Sequence, residues 1–297
     1  MATTRNPKGK IFCSLNGTLI NLNELDLGIS SEVIKEKIGN ELIINKRPGP
    51  IIYDDFIFET APIDEIINII SKTWKGENLR LSGSFITTDH NQKAKYEDLF
   101  LDSLLTETTV PECDPTSKTA ALFGLRIKPA LVRNQKGDER TISTKTQKQK
   151  SILKSNFRFE LGKLPCSRIT KIDSFSVNVN VSSETQGNNK YIDMASTSIE
   201  FPNIYLTISS VDLQPWLEWQ KEFIIDGKNS KSDELSGRLV FLGPNLKDEL
   251  LTIHLNGVGI FSLQRKFESG DKLETFRVGL YCESMELENI KETKPIK

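Results

Sequence analysis

The sequence contains few of the residues that most often carry chemistry. It has only two histidines, and none of its four cysteines forms a C-x-x-C pair. It has no run of 18 apolar residues, about the length that a membrane-spanning helix requires. Its 39 basic and 40 acidic residues nearly cancel, so no overall field attracts nucleic acid or anionic lipid. These absences argue against membrane insertion and against nucleic acid as the main partner.

The cysteines stand singly in apolar, strand-like stretches, at Cys13, Cys113, Cys166 and Cys282. Isolated cysteines in such surroundings are typical of buried free thiols in a reducing compartment. The segment from Met1 to Lys10 is polar and basic with no apolar core behind it, unlike a secretory signal. We therefore expect a protein that is kept in the cytoplasm or in a particle assembled there.

Length and composition predict two globular domains. A chain of 297 residues, 37% hydrophobic and 27% charged, is long enough for two ordinary cores. A polar, lysine-rich stretch near the middle has the composition of an exposed linker. The expected division is a first domain over residues 1–134, a linker over 135–151 and a second domain over 152–297.

The same series of elements occurs twice along the chain. In each half an extended run leads to a helix, then to the tripeptide Leu-Ser-Gly, then to a closing strand with a Gly-Leu pair. Self-similarity in a constant order predicts duplication of one domain. The matched segments are Asp55 to Glu59 and Asn203 to Thr207, Leu81 to Gly83 and Leu235 to Gly237, Glu97 to Phe100 and Asp248 to Leu251, and Gly124-Leu125 and Gly279-Leu280.

Both helices are predicted from apolar residues spaced i, i+3, i+4 and i+7, which lie on one helix face. The first stripe, with Pro62 in its first turn and Gly76 at its end, is Ile63, Ile66, Ile67, Ile70 and Trp74. The second, with Asp212 as N-cap and Gly227 at its end, is Leu213, Trp216, Leu217 and Ile224.

Each half also begins with predicted strands, one from Ile11 to Ile20 around the turn signal Asn16-Gly17 and one from Asn156 to Leu164 around Gly162. The clearest strand alternates apolar residues with neutral polar ones, which predicts a buried face and a polar face. Its members are Phe175, Val177, Val179 and Val181 against Ser176, Asn178 and Asn180.

Two stretches fit no regular element, from Asn21 to Gly49 and from Ser182 to Ser198. We expect long loops there. Loops of such length in a compact domain are usually functional, and in an assembly they are natural contact arms.

Several of these motifs resemble one family, the tube proteins of contractile phage tails and of related phage-like injection systems. The resemblance covers nearly the whole chain, in two copies. The motifs that carry it are Glu200 to Asn203, Trp216 to Trp219 and Gly257 to Phe261 in the second half, and Asp114 to Thr119 and Lys128-Pro129 in the first.

The resemblance implies a mainly β chain of two tandem antiparallel β-barrel or sandwich domains, each with one packed helix. It implies a structural subunit in which six such domains surround a lumen, and three doubled chains can close that ring. The implied partners are other copies of the chain, further tail tube, sheath or baseplate proteins, and cargo in the lumen. The implied location is the cytoplasm of the producing bacterium and then the particle. Tube, hub and cap roles all stay open.

The sequence offers no good candidate for a catalytic, cofactor-binding or metal-binding residue, so we expect a protein that is not an enzyme. His90 lies in a predicted turn and His254 at a solvent-facing strand position. Paired acids such as Asp54-Asp55 point apart on a strand or helix. Gly257-x-Gly259 lacks the lysine and third glycine of a phosphate loop, so a bend in a strand is the better interpretation.

A second function fits the same residues, a β-sandwich surface or receptor-binding module. Trp216 and Trp219 could stack on sugar rings there, although aromatic residues on a helix face more often belong to a core or an interface. This alternative predicts a ligand at the tryptophans and no ring, whereas the first function predicts self-assembly.

Overall fold

The structure, a computed structural model, describes residues 9–22, 25, 27–37, 39, 42, 44–142, 152–185, 191–266 and 274–289. As predicted, it is mainly β. The strands are β1 (Ile11–Leu15), β2 (Thr18–Leu22), β3 (Ile29–Glu36), β4 (Asn45–Tyr53), β5 (Phe56–Thr60), β6 (Leu81–Thr88), β7 (Ala94–Val110), β8 (Phe123–Lys128), β9 (Leu131–Lys136), β10 (Phe157–Leu161), β11 (Ile169–Ile172), β12 (Phe175–Thr185), β13 (Ile192–Glu200), β14 (Ile204–Ser209), β15 (Leu235–Leu242), β16 (Glu249–Lys266) and β17 (Thr275–Asn289).

Two helices accompany these strands in the described part of the chain, α1 (Asp64–Trp74) and α2 (Leu213–Gln220). A 3-10 turn, Ser210–Asp212, precedes α2, and a π-turn, Lys221–Ile225, follows it. Neither helix is long and apolar enough to cross a membrane.

The described strands form three sheets. A nine-stranded sheet, a half-barrel, has the order β13-β12-β7-β6-β1-β2, with β8 and β9 also paired to β7 and with β5 paired to β8. A six-stranded sheet, β10-β15-β16-β17-β14-β11, curves into a nearly closed barrel. The third sheet is the hairpin β3-β4.

The order β1-β6-β7-β8-β5 in the first half has its counterpart in β10-β15-β16-β17-β14 in the second. Register repeats as well, since Leu15 lies opposite Gly83 in one half and Leu161 opposite Gly237 in the other. Both glycines are required by close approach of the neighbouring strand. A Cβ on Gly83 would lie 2.2 Å from the carbonyl oxygen of Ser14, and one on Gly237 would lie 2.4 Å from that of Glu160.

A β-bulge lies on the neighbouring strand beside each of these glycines. Between the partners of Leu81 and Gly83, strand β7 carries one extra residue, and β16 does the same opposite Leu235 and Gly237. The bulges contain Asp102, with a φ of 49°, and Gly257, with a φ of 62°. Positive φ is the backbone region in which glycine is favoured and Asp is tolerated. The predicted bend at Gly257 is therefore confirmed.

Two of the matched sequence segments are out of register in the structure. Phe58 lies opposite Leu125, and the residue opposite Leu280 is Ile204, two positions before the Leu206 that the sequence match paired with Phe58. Phe100 lies opposite Gly83, and the residue opposite Gly237 is Leu255, four positions beyond the Leu251 that the sequence match paired with Phe100. A shift by an even number of residues keeps the same side chains on the same face of a strand. The hydrophobic pattern alone could not distinguish the two registers.

The two predicted loops are wrong, because both stretches form hairpins. The stretch from Asn21 to Gly49 contains β3 and part of β4, and that from Ser182 to Ser198 contains the end of β12 and most of β13, with residues 186–190 outside the described part. Their outer segments carry too few alternating apolar residues to give a strand pattern.

The expected linker is partly structured. Residues 135 and 136 belong to β9, and residues 137–142 follow the first sheet, with Gly137 N–H donating to Lys95 O (2.8 Å) and Ile142 N–H to Gln92 O (2.8 Å). Most of these residues are exposed, as expected, but Ile142 is buried. Residues 143–151 and the basic segment 1–8 lie outside the described residues.

The helix ends differ in detail from the prediction. Pro62 precedes α1, whose N-cap is Ile63. At α2 the Asp212 side chain makes no capping bond, and the hydroxyl of Ser209 accepts from Val211 N–H at the preceding 3-10 turn. The π-turn after α2 advances the helix register, so Phe223 is buried in place of the predicted Ile224.

Residues of both halves share one continuous hydrophobic core. Cys13, Cys113 and Cys282 are buried and Cys166 is half-buried, all as free thiols. Burial raises the pKa of Cys13 and of Cys113 to about 12, because a thiolate is poorly solvated there. The prediction of buried, unpaired cysteines is thus confirmed for three of them and in part for Cys166.

Candidate assembly surfaces

The hairpin β12-β13 of the second half extends the sheet of the first half. Phe175 lies opposite Val110 on β7, and the antiparallel pairing continues for four residues. The hydroxyls of Ser176 and Thr109 are 2.8 Å apart. As predicted, one face of β12 is buried, with Val177 only 1% exposed. The strand that pairs with the edge of β12 lies in the other half of the chain, which the sequence did not indicate.

Further along, the same hairpin is fixed by polar and apolar contacts. Arg80 donates to the carbonyl oxygen of Met194, and Tyr191 Oη–H donates to Asp102 Oδ2 (2.9 Å). Met194 is buried with Leu104 and Ala130 of the first half. This hairpin is therefore a docked arm along most of its described length.

Helix α1 completes the contact between the halves by packing on β17. Its Trp74 ring meets Phe201 edge to face at 6.3 Å, and Asn289 Nδ2–H of β17 donates to Asp64 Oδ1 (2.6 Å). We call the combination of β12-β13 on β7 and α1 on β17 the internal junction. In one part the first half receives the β12-β13 hairpin of the second half. In the other part the second half receives helix α1 of the first half.

The hairpin β3-β4 of the first half, which we call the exposed arm, differs from β12-β13 in its surroundings. Among the described strands, β3 and β4 pair only with each other. Val33 on β3 is 60% exposed, and Ile29, Ile44 and Ile52 are also exposed. A hairpin with exposed β-branched residues on both strands is typical of a surface that another chain covers.

One edge of β16 also differs from its counterpart. On β7, residues 107–109 pair with β8 on one side, and residues 107–110 pair with β12 on the other. Residues 262–265 of β16 pair with β17 on one side, and no strand in the described part of the chain pairs with the other side. We call residues 262–265 the β16 edge. Phe261, next to it, is 41% exposed.

The second barrel has an open seam between β10 and β11. A cavity of about 520 Å³ lies in this seam, with Phe157, Leu161, Cys166 and Ile169 among its lining residues. In the first half β2 pairs with β1, whereas in the second β11 pairs with β14 and leaves β10 as an edge.

Four charged side chains form a network across β10, β15 and β16. Arg238 Nε–H and Arg158 Nε–H each donate to Glu160 at 2.6 Å, and both arginines also pair with Glu249. The hydrogen bond from Arg238 is the main cause that lowers the pKa of Glu160. Every charge in the network has an opposite neighbour, which is the arrangement of a structural ion-pair cluster.

The residues considered for chemistry are dispersed. His90 lies in the turn that Asp89 organises by accepting from Asn91 N–H and Lys93 N–H (both 2.9 Å). His254 is a half-exposed residue of β16, 2.7 Å from Glu288. The described residues contain no group of three or more His, Cys, Asp or Glu side chains that could hold a metal ion.

The tryptophans of α2 belong to the core side of the helix. Trp216 is fully buried and its Nε1–H donates to Pro165 O (3.1 Å). Trp219 is half-buried, 6.0 Å from the Trp216 ring and 5.9 Å from Phe223. Trp216 therefore offers no face to a sugar ring, which removes one of the two tryptophans on which the receptor-binding alternative depends.

No protein-family model matches this chain, and no curated protein matches it. Among solved structures it is similar to a chain of the anti-feeding prophage baseplate, at 14% identity and a TM-score of 0.36 over 46% of this chain and 93% of that one. It is similar to a chain of the anti-feeding prophage tube-terminating cap, at 13% and 0.38 over 45% and 89%. It is also similar to a chain of an extracellular contractile injection system sheath-tube complex, at 11% and 0.37 over 45% and 88%.

Proposed function

We propose that this chain is a structural, non-catalytic subunit of a contractile phage tail or phage-like injection system, and that it builds a ring of duplicated domains in the tube, the hub or a cap. The internal junction is the observation that carries the proposal. There one half extends the sheet of the other and receives its helix, which is how successive members of a ring can be joined. The tube-protein motifs of the sequence favour the same role.

Duplication is supported by features that recur at matching places. The pairing order β1-β6-β7-β8-β5 corresponds to β10-β15-β16-β17-β14. Gly83 and Gly237 meet a backbone carbonyl in the same way, and a residue of positive φ occupies both bulges. Accordingly, we place the two domains at residues 1–134 and 152–297, with residues 135–151 between them.

The geometry of the junction favours a ring. One domain contributes the β7 edge and α1, and the next contributes the β12-β13 hairpin and β17. A contact between two different surfaces, repeated from domain to domain, yields a closed ring or a filament. With six domains in the ring, three chains close it.

The polar face of the docked arm suits the wall of a water-filled channel. Its Asn178 and Asn180 are exposed, and Asn180 Nδ2–H donates to Ser198 Oγ (2.9 Å). Uncharged amides and hydroxyls hold neither anions nor cations strongly, so cargo could pass without being retained. In this account the partners above and below the ring are other tube, sheath or baseplate proteins, and the particle is assembled in the bacterial cytoplasm.

Mass determination in solution tests the proposal. Sedimentation velocity and mass photometry of the purified chain over a wide concentration range should show a species of three times 33.5 kDa, about 100 kDa, and negative-stain images should show rings with six lobes. Rings or stacks of six chains would instead assign the chain to a larger tube. A strict monomer at every concentration would contradict the proposal.

A further inference from the structure

We propose that the exposed arm β3-β4 pairs with the β16 edge of a second copy of this chain, and that this contact joins one chain to the next. The inference rests on the proposed function and adds the residues of the interface to it. The internal junction supplies the template, because it contains the same kinds of surface already in contact.

The exposed arm and the docked arm hold the same place in the chain. The exposed arm lies between β2 and β5, and β12-β13 lies between β11 and β14. The strands that follow the arms, β5 and β14, each pair with the closing strand of their own half, β8 and β17. The two arms are therefore counterparts, of which one is docked and the other is exposed.

The receiving edges are also counterparts. Thr109 lies opposite Gly124, and Ser262 lies opposite Gly279, so Thr109 and Ser262 occupy matching positions. Thr109 is the residue that meets Ser176 of the docked arm. The strand that continues the second sheet in the same way would therefore run along Ser262.

The apolar residues of the docked arm are buried, whereas those on the first strand of the exposed arm are not. In the docked arm Phe175, Val177 and Val179 are all buried. In the exposed arm Ile29 and Val33, also on the first strand, are 49% and 60% exposed. Pairing with a sheet edge satisfies backbone groups and buries such side chains at once.

Helix α2 gives a second, independent indication of the same contact. Helix α1, covered by β17 at the internal junction, has four buried isoleucines, whereas Trp216 is the buried residue of α2. On either side of α2, Val211 and Ile225 are 64% and 74% exposed. In the template, the half that offers its sheet edge also offers its helix. In the first half β8 and β9 both pair with β7, as β17 pairs with β16 in the second half. A second copy docked on the β16 edge would therefore bring its β8 and β9 over α2, as β17 lies over α1.

Photocrosslinking tests the pairing directly. We would place p-benzoylphenylalanine at Val33 and irradiate an equal mixture of unlabelled chains and chains labelled with ¹⁵N. The expected product joins Val33 to the peptide that contains residues 262–265, with mixed-isotope pairs that identify contact between two chains. Crosslinks confined to one chain, or directed to another surface, would overturn the proposal.

Charge substitution gives a second readout without the crosslinker. The double variant Ile29→Asp, Val33→Asp places carboxylates in exposed positions, so the fold should be retained by circular dichroism while the dissociation constant between chains rises about tenfold or more. The matched control is Leu246→Asp, another exposed apolar residue, in the turn between β15 and β16 and outside both surfaces. Equal assembly of the double variant and the control would refute the arm contact.

The outcomes separate the two proposals. If the wild-type chain forms rings that crosslink elsewhere or tolerate the double variant, the arm assignment fails and the ring function stands. If the wild-type chain forms no ring, both fail.

Discussion

Glu97 shows at the residue scale how the first domain holds a charge in its sheet. Glu97 is 6% exposed, and its carboxylate accepts from both terminal nitrogens of Arg140 (2.8 and 3.3 Å). Ser84 Oγ–H (2.8 Å) and Gln135 Nε2–H (3.2 Å) also donate to it. The hydrogen bonds from Arg140 are the main cause that lowers the pKa of Glu97, while burial acts in the opposite direction.

The variant Glu97→Gln should lose about 1.5–3 kcal/mol of folding free energy at pH 7, because a charged hydrogen-bond acceptor is replaced by a neutral one beside Arg140. A lowered pKa means that this stabilisation is full above the unfolded value, about 4.3, and is lost as the pH falls through the folded value. Urea denaturation at pH 7 and at pH 3.5 measures both effects, and the difference between wild type and variant should shrink in acid.

Glu139→Gln is the control for that experiment. Glu139 pairs with Lys95 at 3.3 Å, with more than half of its side chain exposed, and exposed pairs contribute little. It should leave the denaturation midpoint nearly unchanged at both pH values. If the two variants behaved alike, the Glu97 carboxylate would not have the role described.

Residue types alone predict some of these contacts and miss others. The Leu-Ser-Gly tripeptides correctly indicate matching strands, since Gly83 and Gly237 meet the same kind of carbonyl. The contacts of Glu97 are not predictable, because Arg140 approaches from a segment with the composition of a linker. Polar partners set by tertiary pairing leave no local sequence pattern.

At the level of secondary-structure elements, strand β12 shows which features the sequence predicts and which it does not. Its alternating pattern predicts the strand and its buried face correctly. The pattern does not indicate that β7 is the neighbour, because period-two alternation defines a face and says nothing about which strand pairs at the edge. The hairpins β3-β4 and β12-β13 are missed because their outer segments carry too few alternating apolar residues to give a strand pattern.

Val177→Glu should release the docked arm. A carboxylate at this position would be buried without a partner, which costs several kcal/mol. We expect a lower melting temperature and faster hydrogen exchange in two peptides at once, one covering residues 107–110 and one covering residues 175–178. The simultaneous change is expected because these residues pair with each other.

The control is Asn180→Glu, on the exposed face of the same strand and opposite the neutral Ser198. Its hydrogen exchange should stay close to that of the wild type. Normal protection in the Val177→Glu variant would mean that β12 does not hold the two halves together.

In the molecule as a whole, surfaces that are covered in the first half have counterparts in the second half that are exposed to solvent. The sheet edge of β7 and helix α1 are covered within the chain, whereas Val33 of the exposed arm and Ile225 after α2 face solvent. The sequence could suggest two domains and a ring, but not this asymmetry. It arises from the internal junction, which covers one copy of each surface and leaves the counterpart of each exposed.

The most direct test of the account is a cryo-electron microscopy reconstruction of the assembled protein without imposed symmetry. We expect three chains that form six lobes about 60° apart. Every lobe should receive a hairpin from the next, β12-β13 within a chain and β3-β4 between chains. A monomer would contradict this expectation, and so would an assembly in which the two halves of each chain lie in unrelated environments.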